Sequence, residues 1–191
     1  MTCSLHKFGN FFPGTGSIND VGVEKGKYYS VNYPLEDGVD DQTYAMAFKP
    51  VLKEIMDRYQ PEAIVLQCGA DSLCGDRLGL FNLSIKGHGA VVTYMKSFGK
   101  PTIMIGGGGY SLRNVARCWV YETSLLLGVE LENEIPANDF SLYYHPMNKI
   151  HVPVSNQENK NSRQDIEAMN KQIIDNLKNT QAVTVDYSYY N

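Results

Sequence analysis

Short apolar runs alternate along this chain with longer stretches in which apolar residues recur every third or fourth position. Residues 2–5 read as a buried strand, and Tyr28 to Asn32 alternates like a second one, expected to stop at Pro34. Residues 63–66 and 102–105 are continuously apolar, the pattern of strands covered on both faces. Asp40 and Asp41 can cap a helix whose inner face is Tyr44, Phe48, Val51, Leu52, Ile55 and Tyr59; Pro50 should kink or split it, and Gln60-Pro61 should end it. A short helix is expected over Ala90–Phe98, with Val91, Met95 and Phe98 inward. Another runs from Asn114 to Leu127, burying Val115, Cys118, Trp119 and Leu126 and stopping at Gly128. Gly9 to Gly16 is a loop, 133–154 holds little regular structure, and Ser155–Ser162 is a polar linker. An amphipathic helix over 163–179 follows, with Ile166, Met169, Ile173, Ile174 and Leu177 on one face; residues 180–191 form a flexible tail, frayed from Asp186. Strands alternating with helices predict an α/β fold, a parallel sheet covered by helices.

Composition bounds the function. The 191 residues suit one domain, and 43% apolar with 20% charged residues is the balance of an ordinary globular protein. A net charge of −4 without a basic stripe argues against direct nucleic-acid binding. No stretch approaches the roughly 18 apolar residues of a membrane span. Cys3, Cys68, Cys74 and Cys118 include no C-x-x-C pair, which points to reduced thiols in an intracellular protein. Met1 to Leu5 reads as a strand already in progress, so the chain looks like the second part of something longer.

The candidate chemistry lies at two strand ends. The runs Ile64–Asp71 and Thr102–Tyr110 each pass from apolar residues to one functional side chain, Asp71 or Tyr110. Ligands of open α/β sheets bind outside the carboxyl ends of the strands. A carboxylate there needs a positive partner, either a divalent metal or Arg77 six residues on. Tyr110 is either a core aromatic or an exposed phenol able to stabilise an oxyanion. Gly106 to Gly109 can form the wall of a narrow substrate site, a tight strand-to-helix turn, or a phosphate cradle, although neither G-x-G-x-x-G nor a Walker lysine is present. Phe12 and Leu78 sit in loops, where they can pack locally or wall a pocket. Arg77 and Arg113 are solvated ion-pair formers or a clamp for a polyanion. The four histidines form no H-x-H or H-E-x-x-H arrangement, and zinc chemistry needs three protein ligands.

From Met1 to about Leu177 the chain resembles the C-terminal half of a class I histone deacetylase. The resemblance rests on Phe11-Phe12-Pro13-Gly14-Thr15-Gly16, Gly26-Lys27-Tyr28-Tyr29, Leu66 to Leu73, Gly75-Asp76-Arg77-Leu78-Gly79, Gly106 to Tyr110 and Asn114 to Trp119. It implies an arginase/deacetylase-like sheet in residues 1–154, incomplete at its N-terminal side, and a zinc hydrolase acting on acetyl-lysine in histone tails. Asp71 would then be a zinc ligand, Tyr110 the catalytic phenol, Phe12 and Leu78 walls of the lysine tube, and Gly108 a neighbour of the acetyl group. Main-chain oxygens of Ser4 and Leu5 match one potassium site of the family, and Tyr29 a second. Arg77 and Arg113 match residues that bind inositol tetraphosphate against a corepressor subunit, and arginines at both positions favour the complex-forming branch. A nuclear location, with a cytoplasmic one also allowed, follows from the same likeness. A metal-dependent amidohydrolase of the arginase or acetylpolyamine type is a weaker match, since the Phe12 loop and the arginine pair argue against it.

The family's Asp-x-His ligands, tandem histidines and second aromatic wall have no counterpart in this sequence. The resemblance therefore predicts weak or absent zinc binding by the isolated chain, and doubtful activity. In the family the strand bearing Asp-x-His separates those matching residues 2–5 and 28–32 from those matching 63–66 and 102–105. Two sheet fragments with unpaired inner edges are expected, as in a partial gene product or a chain that folds beside a partner.

Overall fold

Four short strands and four α-helices follow one another in the order strand, strand, helix, strand, helix, strand, helix, helix in the computed structural model, which describes residues 1–11 and 15–182. The strands are β1 (Thr2–Lys7), β2 (Ser30–Leu35), β3 (Ile64–Gln67) and β4 (Thr102–Ile105). The helices are α1 (Asp41–Tyr59), α2 (Ile85–Lys96), α3 (Leu112–Leu127) and α4 (Arg163–Leu177). All strand pairing is parallel: β1 pairs with β2, with Cys3 opposite Val31, and β3 with β4, with Val65 opposite Ile103. The α/β class follows.

The strands form two separate two-stranded sheets. A cavity of about 640 Å³ lies along the unpaired edges of β1 and β3, lined by residues 2–5 of one and 64–67 of the other. Tyr44, Ile55 and Met56 of α1 close part of it. The expectation that β3 and β4 are covered on both faces is corrected for the described residues. Their outer face carries Val65 and Ile103, 68% and 64% exposed, because the helices pack only behind Ile64 and Leu66.

The expected stop at Pro34 and the split of the helix at Pro50 are also corrected. Strand β2 runs through Pro34 to Leu35 instead of stopping. Tyr29 and Leu35 turn their carbonyls towards β1, accepting from Thr2 and Phe8, so the alternate residue Pro34 faces the outer edge, where no N–H is needed. Helix α1 is not split at Pro50. Pro50 cannot donate to the Met46 carbonyl four residues back, and the Asn170 side-chain amide of α4 donates to it instead, at 3.0 Å. That bond fastens α4 to α1, supported by the Tyr33 hydroxyl on Asn170 Oδ1 at 3.1 Å.

Helix ends follow local chemistry. Asp40 accepts from the Thr43 amide at 2.8 Å, and Gln60 ends α1 in the left-handed region. Helix α2 starts five residues earlier than its apolar spacing suggested, because Ser84 caps it through the Gly87 amide and Asp41 in turn binds the Ser84 amide. Gly128 ends α3 at φ +70°. Leu126 is only half-buried, while Val115 and Cys118 are buried as expected. The polar stretch 155–162 is fastened to the body: Asn161 Oδ1 accepts from the Glu36 amide, and Asn159 donates to Thr43. At the other end of α4, Thr180 is buried and the Gln181 amide meets the Tyr29 hydroxyl. The rest of the expected flexible tail, from residue 183, lies outside the described residues.

Candidate functional site

The loops following β3 and β4 are joined. The Cys68 amide donates to the Ile105 carbonyl at 2.9 Å, and the Ala70 amide to the Gly108 carbonyl at 2.7 Å. Asp71 sits in the single 3₁₀ turn Ala70–Ser72 and shares the wall of the inter-sheet cavity with Ser4, Leu5 and Gln67. Its carboxylate is pressed against the glycine run: a Cβ on Gly108 would lie 2.0 Å from Asp71 Oδ2, and one on Gly107 1.8 Å from the Gln67 amide nitrogen. The glycines are therefore required by protein packing between the two loops. Among the described residues Arg77 forms no ion pair with Asp71.

Asp76, which the pattern reading passed over, holds the next shell together. One carboxylate oxygen accepts from the Leu78 and Gly79 amides at 2.9 and 3.0 Å, the other from Tyr110 and Ser111 at 2.7 and 3.2 Å. Burial opposes its ionisation, but these four donors outweigh that cost and hold its carboxyl below the usual range. The loop carrying Arg77 and Leu78 is thus tied to the turn carrying Tyr110, three residues before Arg113. Leu78 is 55% and Tyr110 45% exposed, and both arginines are exposed. Tyr110 does not line the cavity that Asp71 lines. Tyr29 precedes β2, away from these loops; its carbonyl accepts from Thr2 and its ring stands edge-on to Tyr59. Phe12 lies outside the described residues.

Behind the Asp71 loop lies a cluster that local patterning could not reveal. His88 of α2 meets Glu122 of α3 through Nδ1 at 2.5 Å, and its Nε2 reaches the Gly69 carbonyl at 2.9 Å. Cys118, one helical turn before Glu122, places Sγ 3.5 Å from the same Nδ1. Burial disfavours charge on His88, yet Cys118 and Glu122 together hold its pKa well above the ordinary value. Burial, then Glu122, pushes the Cys68 thiol up to about 12, and burial also raises Cys118 against the pull of His88.

His88, Cys118 and Glu122 are the one group of three possible metal donors among the described residues. Two ligands bound at roughly 2.0–2.1 Å to a tetrahedral zinc stand about 3.3 Å apart. The 2.5 Å His88–Glu122 separation is a hydrogen bond instead. Around Asp71 no second and third metal ligand gather among the described residues. The residues present therefore do not fit a complete zinc centre. Arg117, also missed, is buried and donates to the carbonyls of Lys149 and Met147 at 2.8 and 2.7 Å, pinning 144–149 against α3.

Comparison with known proteins gives a consistent picture. Residues 1–126 match the histone deacetylase domain. The chain is 53% identical over 178 residues to histone deacetylase 1 of Homo sapiens, covering 93% of this chain and 37% of that protein. It is 51% identical over 179 residues to type-1 histone deacetylase 1 of Dictyostelium discoideum, covering 94% and 36%. For histone deacetylase 19 of Arabidopsis thaliana the figures are 55% over 181 residues, 95% and 36%. The chain thus spans little more than a third of the length of these relatives.

Proposed function

Because the chain belongs to the histone deacetylase family, we propose that it carries one side of a site that hydrolyses acetyl-lysine in histone tails, and that it does not complete that site alone. The observation carrying this reading is the junction of the two strand-end loops, where the Ala70 amide meets the Gly108 carbonyl and Gly108 backs the Asp71 carboxylate. In the family, zinc supplies Lewis-acid activation of water. Asp71 would be one of its ligands and Tyr110 the donor to the developing oxyanion, a role whose loss costs roughly 2.7–4 kcal/mol. Leu78 and Phe12 would wall the tube around the lysine stem, and Gly108 would lie beside the acetyl group. The Ser4 and Leu5 carbonyls would serve one potassium ion, and Tyr29 a second. The further zinc ligands and the acid–base histidines would come from outside these residues, along the open edges of β1 and β3.

The protein would work in a nuclear corepressor assembly. A second reading, a non-catalytic scaffold holding inositol tetraphosphate, is favoured by one observation: Asp76 ties the Arg77 loop to the turn that leads into Arg113. The test supplies a polypeptide bearing the family's tandem-histidine and Asp-x-His segments, with zinc and an acetyl-lysine peptide. Turnover that appears on mixing and vanishes in D71N and Y110F supports deacetylation. Absence of turnover, with inositol tetraphosphate bound by the wild type and lost in R77A, selects the scaffold.

A further inference from the structure

The backbone leading to Asp71 is gripped at three consecutive residues. Trp119 Nε1 donates to the Cys68 carbonyl at 2.8 Å, His88 Nε2 reaches the Gly69 carbonyl at 2.9 Å, and the Ala70 amide donates to Gly108. Gly69 also accepts locally from the Ser72 hydroxyl at 3.2 Å, so His88 is the grip on that carbonyl from another element. A carbonyl oxygen only accepts, so Nε2 must carry a hydrogen. Nδ1 and Glu122 Oε1 share one further proton, and the pair is neutral whichever atom holds it. Burying a net-neutral pair avoids the heavy penalty of an isolated charge, although Glu122 Oε2 has no hydrogen-bond partner among the described residues.

The helix bearing His88 is built to bring it there. Gly87 and Gly89 flank it inside α2, although glycine is a poor helix former. A Cβ on Gly87 would lie 1.9 Å from Asp41 Oδ1, and one on Gly89 2.8 Å from both Leu125 and Tyr121. Both glycines let α2 sit tightly against α1 and α3, which sets His88 between Glu122 and Gly69.

We propose that the buried His88–Glu122 pair is a positioning device for the Asp71 loop, fixing the Gly69 carbonyl so that the carboxylate two residues on stays against Gly108 and faces the inter-sheet cavity. His88 and Glu122 are positioning residues, since they act on Asp71 through the Gly69 carbonyl. The consequence for metal binding rests on the reading of Asp71 given above; the locking of the loop does not.

The test uses the full chain, labelled with nitrogen-15 and read by NMR. In the wild type, His88 Nε2 is expected to be protonated. H88A and E122L are expected to raise amide exchange at Ala70 and Asp71 at least about tenfold relative to Ile173 and Leu177 of α4, whereas E122Q, which can still meet Nδ1, stays within about twofold of wild type. Unchanged exchange at Ala70, or equal acceleration in both regions, overturns the proposal, because a merely structural role loosens the whole chain together. An unprotonated Nε2 in the wild type overturns it as well, and decides the matter if the disruptive variants do not fold. Excess cobalt(II) should broaden signals at Asp71 in the wild type but not in D71N. Failure there removes the ligand reading of Asp71 and leaves the exchange result to judge the lock.

Discussion

The carboxylate of Asp71 and the backbone of Gly108 stand so close that a methyl group at 108 would lie 2.0 Å from Oδ2 and 2.6 Å from Cγ. The pair joins the ends of β3 and β4, and each residue limits what the other can be.

G108A should destabilise the chain by about 1–3 kcal/mol, the usual range for overpacking. D71A removes the obstructing oxygens, so the double variant should lose less than the sum of the single losses, with a coupling of about 1 kcal/mol or more. Urea denaturation of the four proteins measures this. Additive losses would show that the contact does not limit either site.

Asp76 gives a pH dependence with a defined sign. Its folded pKa is lowered, so its stabilisation is present above the ordinary aspartate value near 3.9 and is lost as the pH falls through the folded value. D76N should cost about 1.5–3 kcal/mol at neutral pH, as expected when hydrogen bonds to a charged group are lost. The gap between D76N and wild type should narrow below about pH 4. Thermal melts across pH 3–7 read it directly; a constant gap refutes the assignment.

Asn170 replaces the donor that Pro50 lacks. N170L should cost about 1–3 kcal/mol, because the Met46 carbonyl loses its partner. In a P50A background the restored amide can meet Met46, so the cost of N170L should fall. Equal costs in both backgrounds would show that Met46 is not the group that matters.

With one candidate carboxylate in place of three ligands, the dialysed chain should retain far less than one zinc per molecule, and D71N should not lower that residue further. Elemental analysis decides it; one tightly held zinc would contradict the account of Asp71.

The open edges and outer face invite association. Val65 and Ile103 are largely exposed on a two-stranded sheet whose strands each keep one edge unpaired among the described residues, so the isolated chain should self-associate as its concentration rises and should bind a hydrophobic dye. Substituting lysine at Val65 should weaken both signals in ultracentrifugation and fluorescence. A monodisperse monomer at all concentrations would oppose this.

Much of the architecture was legible from periodicity alone. Strand β4 spans residues 102–105 as read, and α4 buries Ile166, Ile173 and Leu177 on its expected face. The capping by Asp40, the stop at Gly128 and the placing of Asp71 and Tyr110 just beyond strand ends also follow from neighbours within a few residues. Such features depend on local sterics and on which face of an element is apolar, and a linear pattern records both.

Other features came into view only when distant segments met. His88 and Glu122 are 34 positions apart, and Asn170 is 124 from Met46. Asp76 carries no signal in the local pattern, and only the folded chain brings the two amides of the Tyr110 turn to it. The glycine run left three explanations open until Asp71 and Gln67 were found against it. A polar side chain's partner is set by where the folded chain returns, and no spacing rule encodes that meeting. Hydrophobic periodicity determined the elements, while close packing between them decided which polar groups could be buried and what each one holds.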